Sequence, residues 1–474
     1  MIAESVEFAR KVSSGRGVPT NEKYHYLRCN THSHFGLVIS FGRNYCVFLW
    51  GTFLGGSLLI YSQAVEYISG VEKFGIKLGL DTVKTLLARL GNPQKSLKFL
   101  HIAGTNGKGS VSCFLTNILL ASGYSVGTFN SPSVFGYNER YLFDNKPMSD
   151  DDVAKYISVV ANEREKMAQE GLDLPSAFEL EFAVAMLYFK DKGCDFAVLE
   201  CGLGGRLDAT NSIERKELAI ITSISYDHTA ILGDTLSKIA NEKFAIVKDC
   251  PLITYRQCDE VMNILGKADD LILCDAPTLL TSNADGQTML YKGETYCLKQ
   301  LGKYQLVNCS LAIESALYLS SKGYDITLDN IKTGVAQAVW KGRLQKISKG
   351  NKVFLLDGAH NEDGAKVLAQ ELATTFKDTK KCFVFGMFKD KDVDSVLGNL
   401  GILADEFIAI RPPSPRGLDE NQTYKKCLAY TPNSSKCDGI QDAISKAYSG
   451  KCDLIVVCGS LSILSPAYDA IMKL

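Results

Sequence analysis

An excess of charge of either sign is missing from this chain of 474 residues: 52 Lys and Arg stand against 53 Asp and Glu, a formal net charge of −1. Without a basic surplus, nothing global points to nucleic acid or to an anionic membrane as a partner. Paired CxxC spacings are missing too. The 15 cysteines are odd in number and scattered through expected strands and helices, which argues against zinc and a disulfide framework and for buried, reduced thiols. There is no internal repeat and no low-complexity segment. Histidine is scarce at six residues, so one placed at a strand end carries information. The uncharged run "CVFLWGTFLGGSLLIYS", Cys46 to Ser62, falls short of the ~20 residues of a spanning helix and is broken by glycines. Arg10, Lys11 and Arg16 suggest a transit peptide, against which Glu4 and Glu7 stand. Residues 1–61 are therefore read as an N-terminal extension, either a targeting leader or a weak membrane segment. The expected location is cytoplasmic or mitochondrial, with no membrane partner.

What is present is the balance of a globular protein, 46% hydrophobic and 22% charged, in a chain long enough for two or three domains. From Ser62 onward, strand-like runs at 97–103, 124–129, 196–200 and 218–224 alternate with helical stretches at 154–168, 178–192 and 236–247. That alternation predicts an α/β fold with a mostly parallel sheet covered on both faces. Residues 288–300 read as a hairpin about a Lys-Gly turn, and a helix follows at about 306–320. After "WKGRLQKISKGNK" the pattern restarts, with strands at 353–357, 382–386, 406–410 and 453–458. The expected organisation is a P-loop mononucleotide-binding domain over 62–346, followed by a smaller Rossmann-like α/β C-terminal domain over 350–474.

The sharpest local signal is "HIAGTNGKGSVSCFL", His101 to Leu115. A buried strand breaks at Gly104, and an amphipathic helix with Val111, Phe114, Leu115, Ile118 and Leu119 on one stripe begins at once. Backbone N–H groups of such a turn, with the positive end of the helix, cradle phosphate oxygens. Lys108 supplies a point charge, and Ser110 a hydroxyl suited to Mg²⁺ or phosphate. The spacing G-T-N-G-K-G-S departs from the strict P-loop, and a glycine-rich turn with an incidental lysine is the alternative; the strand before and the helix after favour nucleotide. "FAVLECGLGGRLDATN", Phe196 to Asn211, ends a strand in Glu200, where α/β sheets bind ligands. Its glycines do not complete a dinucleotide fingerprint. "LAIITSISYDHTAILG" places Asp227 and His228 at a strand end, as a capped turn or a functional pair. Lys243 in "IANEKFAIV" reads by itself as a solvated or snorkelling side chain. "VFLLDGAHNEDG" puts Asp357 and His360 after the first C-terminal strand, as an Asx-capped turn or as groups reaching nucleotide across a cleft.

Taken together these stretches resemble the folylpolyglutamate synthase and dihydrofolate synthase family of the Mur ligase superfamily. The likeness spans residues 62 to about 460 and rests on five motifs in the family's order: AGTNGKGS, Ser131-Pro132, LECGLGGRLDATN, S-Y-D-H with the downstream N-E-K, and LLDGAHN. The resemblance implies an ATP-dependent ligase that makes an acyl phosphate, which the amine of L-glutamate attacks, with dihydropteroate or a reduced folate as the other small-molecule substrate. It further implies ATP contacts at Gly107, Lys108, Gly109, Ser110, Asn308, Arg343, Asp357 and His360. Two Mg²⁺ ions are implied, one at Ser131 and Glu200, the other at His228 and a carbamylated Lys243. Lys108, His228 and Lys243 are the implied catalytic groups. The pterin-side pocket falls on Gly79 and Leu80, on Ser176, Ala177, Phe178 and Glu179, and on Leu207, Asp208 and Ala209. No nucleic acid is expected, and a monomer is.

Three positions and one loop depart from the family pattern. Ser133 follows Ser131-Pro132 where His is usual, and "VFGYNER" replaces the commoner loop. Lys341 stands where Pro is frequent, and Tyr304 where His is common. Asn106 resembles bacterial bifunctional enzymes and eukaryotic dihydrofolate synthases rather than eukaryotic folylpolyglutamate synthases, which favours dihydrofolate synthase with polyglutamylation as a second activity. The competing expectations are a folylpolyglutamate synthase alone, or a P-loop module that binds nucleotide without ligation.

Overall fold

The computed structural model describes residues 35–41, 45–51, 58–72 and 79–474. Strands β1 (Phe35–Phe41) and β2 (Tyr45–Gly51) pair antiparallel as a separate unit, Phe35 opposite Gly51. The basic residues of the expected leader, and the apolar run between Gly51 and Leu58, lie outside the described residues. Among the described residues no helix is long and apolar enough to cross a membrane.

Everything from Leu58 to Leu474 forms one compact unit with two large sheets. The first holds β3 (Lys98–Ala103), β4 (Val126–Phe129), β5 (Tyr141–Phe143), β6 (Lys146–Pro147), β7 (Phe196–Glu200), β8 (Leu218–Ile221), β9 (Leu252–Tyr255) and β10 (Leu271–Cys274). Their spatial order is β10-β9-β8-β3-β7-β4-β5-β6, parallel from β10 to β4 and antiparallel only at the β5–β6 edge. Strands β4, β7 and β8 are buried throughout and β3 from Phe99 onward, so their sequences are mostly apolar without alternation. A three-stranded antiparallel sheet follows: β11 (Thr278–Asn283), β12 (Gly286–Tyr291) and β13 (Glu294–Leu298). Its Lys292-Gly293 turn is the one expected from sequence. The last sheet contains β14 (Gln345–Lys349), β15 (Lys352–Leu356), β16 (Lys381–Phe385), β17 (Glu406–Ala409), β18 (Ser434–Lys436) and β19 (Leu454–Cys458). It is ordered β14-β15-β19-β16-β17-β18, with only β14 antiparallel. We call the part built on the first sheet the large lobe, and the part built on the last sheet the C-terminal lobe.

The helices that position the site are α1 (Tyr61–Glu72), α2 (Asp81–Arg89), α3 (Lys108–Ala121), α4 (Asp150–Gln169), α5 (Ala177–Asp191), α6 (Thr229–Leu232), α7 (Leu236–Phe244), α8 (Asp259–Leu265), α9 (Tyr304–Ser321), α10 (Leu328–Gln337) and α11 (Glu362–Thr374). Sequence predicts α3 as amphipathic, yet its residues from Ser110 to Leu119 are all buried. Helices α9 and α10 pack over the face that would otherwise meet solvent. Its polar residues are satisfied internally: Ser112 Oγ donates to Asn130 Oδ1 at 3.0 Å, Thr116 and Thr128 share a bond at 2.9 Å, and Asn117 Nδ2 donates to Cys113 O at 2.8 Å. Burying Val111, Phe114, Leu115, Ile118 and Leu119 contributes about 1.5–3 kcal/mol for each side chain. The helix that follows the glycine loop is thereby a fixed post. Among the described residues the cysteines are free thiols, most of them buried, Cys258 and Cys297 being exposed.

Candidate active site

The loop between β3 and α3 lies at the carboxyl end of the parallel strands. Gly107, with φ +93°, is the residue before the first helical turn. An L-residue there is strained, and its Cβ would collide with the Asn308 side chain on α9. The first backbone N–H groups of α3 have no intrahelical partner, as at any helix start. Thr105 ties the loop down: its N–H donates to Ser223 O at 2.6 Å, and its hydroxyl donates to Ser225 O at 3.1 Å.

Two lysines from different elements converge on one carbonyl of this loop. Lys108 Nζ donates to Gly104 O at 3.1 Å and to Thr105 O at 3.2 Å. Lys243 Nζ, from α7, donates to the same Gly104 O at 2.8 Å. The plain reading of Lys243 as a solvated side chain is wrong: the residue is only 4% exposed. Helix α7 comes this close because a Cβ on Gly205 would lie 2.7 Å from Glu242 O and 3.1 Å from Lys243 Cα. Burial, and the Lys108 charge beside it, push the Lys243 amine down to about 8 from an ordinary 10.5.

Glu200 closes β7 beside this pair. It is buried, with Oε1 4.0 Å from Lys108 Nζ and Oε2 accepting from Ser131 N–H at 3.3 Å. Burial outweighs these partners and the Arg343 charge, and lifts its carboxyl to about 6. A buried carboxylate short of positive charge is a seat for a cation. Ser131, which precedes a cis peptide bond to Pro132, stands next to it. Among the described residues no three His, Cys, Asp or Glu side chains cluster as a metal cage. The donor set suits an ion that takes one carboxylate and completes its shell with phosphate and water, as Mg²⁺ does.

Asp227 and His228 are not at a strand end, since β8 stops at Ile221 and both lie in the loop that enters α6. His228 has φ +48° and a side chain 54% exposed, with Nε2 3.8 Å from Asp227 Oδ2. It lines a small cleft with Gly104, Lys108, Cys201, Asp227 and Lys243, so the two lysines and the histidine share one wall. Below that wall is a buried chain that sequence reasoning missed. His101 Nε2 lies 2.8 Å from Thr210 Oγ1 and 3.1 Å from Cys201 Sγ, and Thr210 Oγ1 donates to Asp208 Oδ1 at 2.5 Å. Its only signal in the sequence is that Cys201 follows Glu200.

Asp208 is buried and saturated, also accepting from Leu203 N–H at 2.8 Å and Thr210 N–H at 3.0 Å. It folds the GLGGRLDATN loop, with Leu207 beside it and Ala209 buried. Ser176 and Glu179 form a capping box for α5: Glu179 Oε2 accepts from Ser176 N–H and O–H, both at 2.7 Å. That cap aims Phe178 at Gly202, where a Cβ would lie 2.6 Å from its ring, and Phe129 stands 5.6 Å away, centroid to centroid. Ala177 is buried next to it. Gly79 and Leu80 lead into α2, which packs on the Ala209–Ser212 turn. Phe178 and Asp208 thus lie at the glycine loop after β7, while Gly79 and Leu80 connect to it only through the packing of α2 on the Ala209–Ser212 turn.

From the other lobe, Asp357 follows β15. Its carboxylate accepts from Leu344 N–H at 2.9 Å and Ala359 N–H at 2.8 Å; burial raises its carboxyl above the usual range, and Arg343 opposes the rise. His360 Nδ1 bonds Gly358 O at 2.7 Å, and burial lowers its ring below the ordinary value. The Arg343 charge acts on Glu200, Asp357 and His360 alike, and Asp227 acts on His360. Arg343 thus stands within electrostatic reach of groups on both lobes. Asn308 Nδ2 donates to Gln305 Oε1 at 3.0 Å, one turn earlier on α9. The Trp340 indole lies against Gly109, and Ser110 is buried beneath it in the first turn of α3.

A glycine loop on a parallel sheet, faced by a second α/β lobe that brings its own charged groups, defines the class: a two-lobed ligase-type nucleotide fold. Residues 102–316 match the Mur ligase middle domain, and residues 342–461 match the Mur ligase, glutamate ligase domain. The chain belongs to the folylpolyglutamate synthase/dihydrofolate synthase family of the Mur ligases. It is 33% identical over 423 residues to the dihydrofolate synthase/folylpolyglutamate synthase of Bacillus subtilis, covering 85% of this chain and 97% of that one. The folylpolyglutamate synthase of Thermotoga maritima superposes with a TM-score of 0.79 at 29% identity, over 87% of this chain and 97% of that one. A bifunctional folylpolyglutamate synthase/dihydrofolate synthase with Mn, AMPPNP and L-glutamate bound superposes with a TM-score of 0.71 at 26% identity, over 88% and 98%.

Proposed function

We propose that this chain is an ATP-dependent ligase that joins L-glutamate to dihydropteroate, and that it also adds glutamate to reduced folates. The observation that carries the reading is the meeting of Lys108, Lys243 and the buried Glu200 at the Gly104 turn. A module that only held nucleotide would gain nothing from a second buried lysine there.

The loop N–H groups from Gly107 to Ser110 bind phosphate oxygens. Lys108 exchanges its two carbonyl partners for the γ-phosphate and neutralises charge that develops in transfer. Asn308, Arg343, Asp357 and His360 hold the nucleotide from the far side. Glu200 and Ser131 would hold one Mg²⁺, with His228 and a carbamylated Lys243 at a second. These ions would supply charge neutralisation for a phosphoryl group in flight. Lys243 suits the modification because its lowered amine is partly neutral near pH 7, and only a neutral amine attacks CO₂. A carbamate there is anionic and can face a cation, whereas an ammonium repels it. Phe178 and the segments at Gly79–Leu80, Ser176–Glu179 and Leu207–Ala209 seat the pterin acid with its carboxylate towards the loop. That carboxylate attacks the γ-phosphorus, ADP leaves, and the glutamate amine displaces phosphate from the acyl carbon with loss of a proton. Residues up to 346 act as the nucleotide-binding domain and 350–474 as its partner; the extension expected over 1–61 is shorter, because residues from Leu58 belong to the catalytic unit.

The test is phosphate release by the full chain with ATP and Mg²⁺. Release that needs both dihydropteroate and glutamate is expected, with product gaining the mass of one glutamyl residue. Release indifferent to both would leave only a nucleotide-binding module. Lys108→Ala should lower turnover by roughly 10²–10³-fold, as removal of one preorganised charge donor does.

A further inference from the structure

The segment after Ser131-Pro132 leaves its own lobe. Val134 and Phe135 are half-buried in a core of the C-terminal lobe, beside Leu461 and Tyr468. The Phe135 ring meets Tyr468 edge-on, with centroids 5.5 Å apart and planes at 73°, and Ser465 Oγ donates to Phe135 O at 3.4 Å. On the other side, Lys341 Nζ lies 5.8 Å from the same ring's centroid and 3.5 Å from Glu139 Oε1. Glu139 Oε2 in turn accepts from Phe135 N–H at 3.0 Å. The crossover between the lobes runs through this junction: a Cβ on Gly342 would stand 3.1 Å from Leu464 Cδ1, 3.4 Å from Val134 Cγ1 and 3.5 Å from Phe135 Cε2. Three pieces of chain therefore meet, namely residues 134–139, residues 340–344 and the helix Leu464–Met472.

Each piece from the crossover side leads within a few residues to a charge at the cleft. Ser131, whose N–H bonds Glu200, precedes Val134 by three residues. Arg343 follows Gly342 directly, and its charge acts on both Glu200 and Asp357. We propose that Phe135 is a positioning residue for the ligation step. Seated on Tyr468, it holds the two lobes in the placement where Ser131 and Glu200, from one side, and Arg343 and Asp357, from the other, face the same nucleotide. Phosphoryl transfer depends on such placement, since a shift near 1 Å can cost on the order of 100-fold in rate. This inference rests on the ligase reading.

The test compares Phe135→Ala, Tyr468→Ala, the double variant and Phe135→Leu in the full chain. One readout is kcat and KM for glutamate-dependent phosphate release. The other is Trp340 emission in a Trp50→Phe background, titrated with a non-hydrolysable ATP analogue and Mg²⁺. Trp340 lies against Gly109 of the nucleotide loop, and Trp50 is the only other tryptophan. Phe135→Ala should lower kcat by roughly 10- to 100-fold, with the midpoint of the titration little moved and the amplitude of the emission change reduced. Tyr468→Ala should do the same, the double variant should be no worse than either, and Phe135→Leu should recover most of the loss. Should Phe135→Ala fail to fold, Tyr468→Ala trims the other ring and is read in the same way. A wild-type kcat and amplitude in the alanine variants, or losses that multiply in the double variant, would overturn the proposal. Wild-type protein that releases no phosphate with both substrates would overturn the ligase reading instead, and the emission arm would still decide on Phe135.

Discussion

Lys243 and Glu200 carry the clearest consequences at the level of single residues. The amine of Lys243 is lowered to about 8, so about a tenth of it is neutral at pH 7 and half at pH 8. Enzyme stripped of CO₂ at low pH should regain activity when dissolved CO₂ is restored to the same concentration at each pH, several-fold faster at pH 8 than at pH 7, and level off above about 9. A rate independent of pH over that range would exclude the carbamate. Lys243→Ala should lose turnover and recover part of it with millimolar formate or acetate, which bring a carboxylate into the space left. Glu200 has the opposite sign of cost. Its carboxyl is raised to about 6 from an ordinary 4.5, so the folded, unliganded protein binds a proton that the unfolded chain has released. Stability on this account falls as pH rises from 4.5 to 6 and stays lower above. Glu200→Gln should therefore stabilise the unliganded protein at pH 7 by on the order of 1–2 kcal/mol, and not at pH 4, while abolishing turnover. Melting curves at the two pH values check this, and equal shifts at both would refute it.

The loop between β3 and α3 works as one element, and Gly107 is its tightest point. Gly107→Ala brings two penalties, a positive φ costing about 1–2 kcal/mol and a clash with the Asn308 side chain. The helix behind it is buried on every side, so the strain is relieved by moving the loop. Affinity for an ATP analogue, measured by calorimetry, should fall at least tenfold, while the melting temperature changes by only a few degrees. Unchanged affinity would mean that the loop N–H groups do not hold phosphate.

At the scale of the unit from Leu58 to Leu474, one cation stands near groups of both lobes. Arg343 sits in the crossover and acts on Glu200 in one lobe and on Asp357 and His360 in the other. Arg343→Ala leaves Asp357 buried with only two backbone donors, which should destabilise the chain by about 1–3 kcal/mol. It should also raise KM for ATP and lower kcat together, because both lobes lose their shared cation. A variant with an unchanged melt and unchanged kinetics would show that the lobes act independently at the cleft.

What the sequence by itself determined is local. Apolar runs of four to six residues, buried on both faces, announce parallel strands; glycines at Gly104 and Gly107 announce the break; Glu200 and Asp357 announce strand ends. These are properties of a few consecutive residues and need no partner to be read. Five motifs in one order were enough to place the chain in its family. The polar face of α3 could not be read, because what covers it, α9 and α10, comes some two hundred residues later. Neither could the burial of Lys243, which is decided by how near α7 can approach Gly205. The position of His228 beyond the strand, the buried chain from His101 to Asp208, and the Phe135 contact with Tyr468 are likewise decided by packing between segments far apart in the chain. A side chain's neighbours, and hence its charge state, are set by which surfaces close on it, and only the tertiary structure chooses those surfaces.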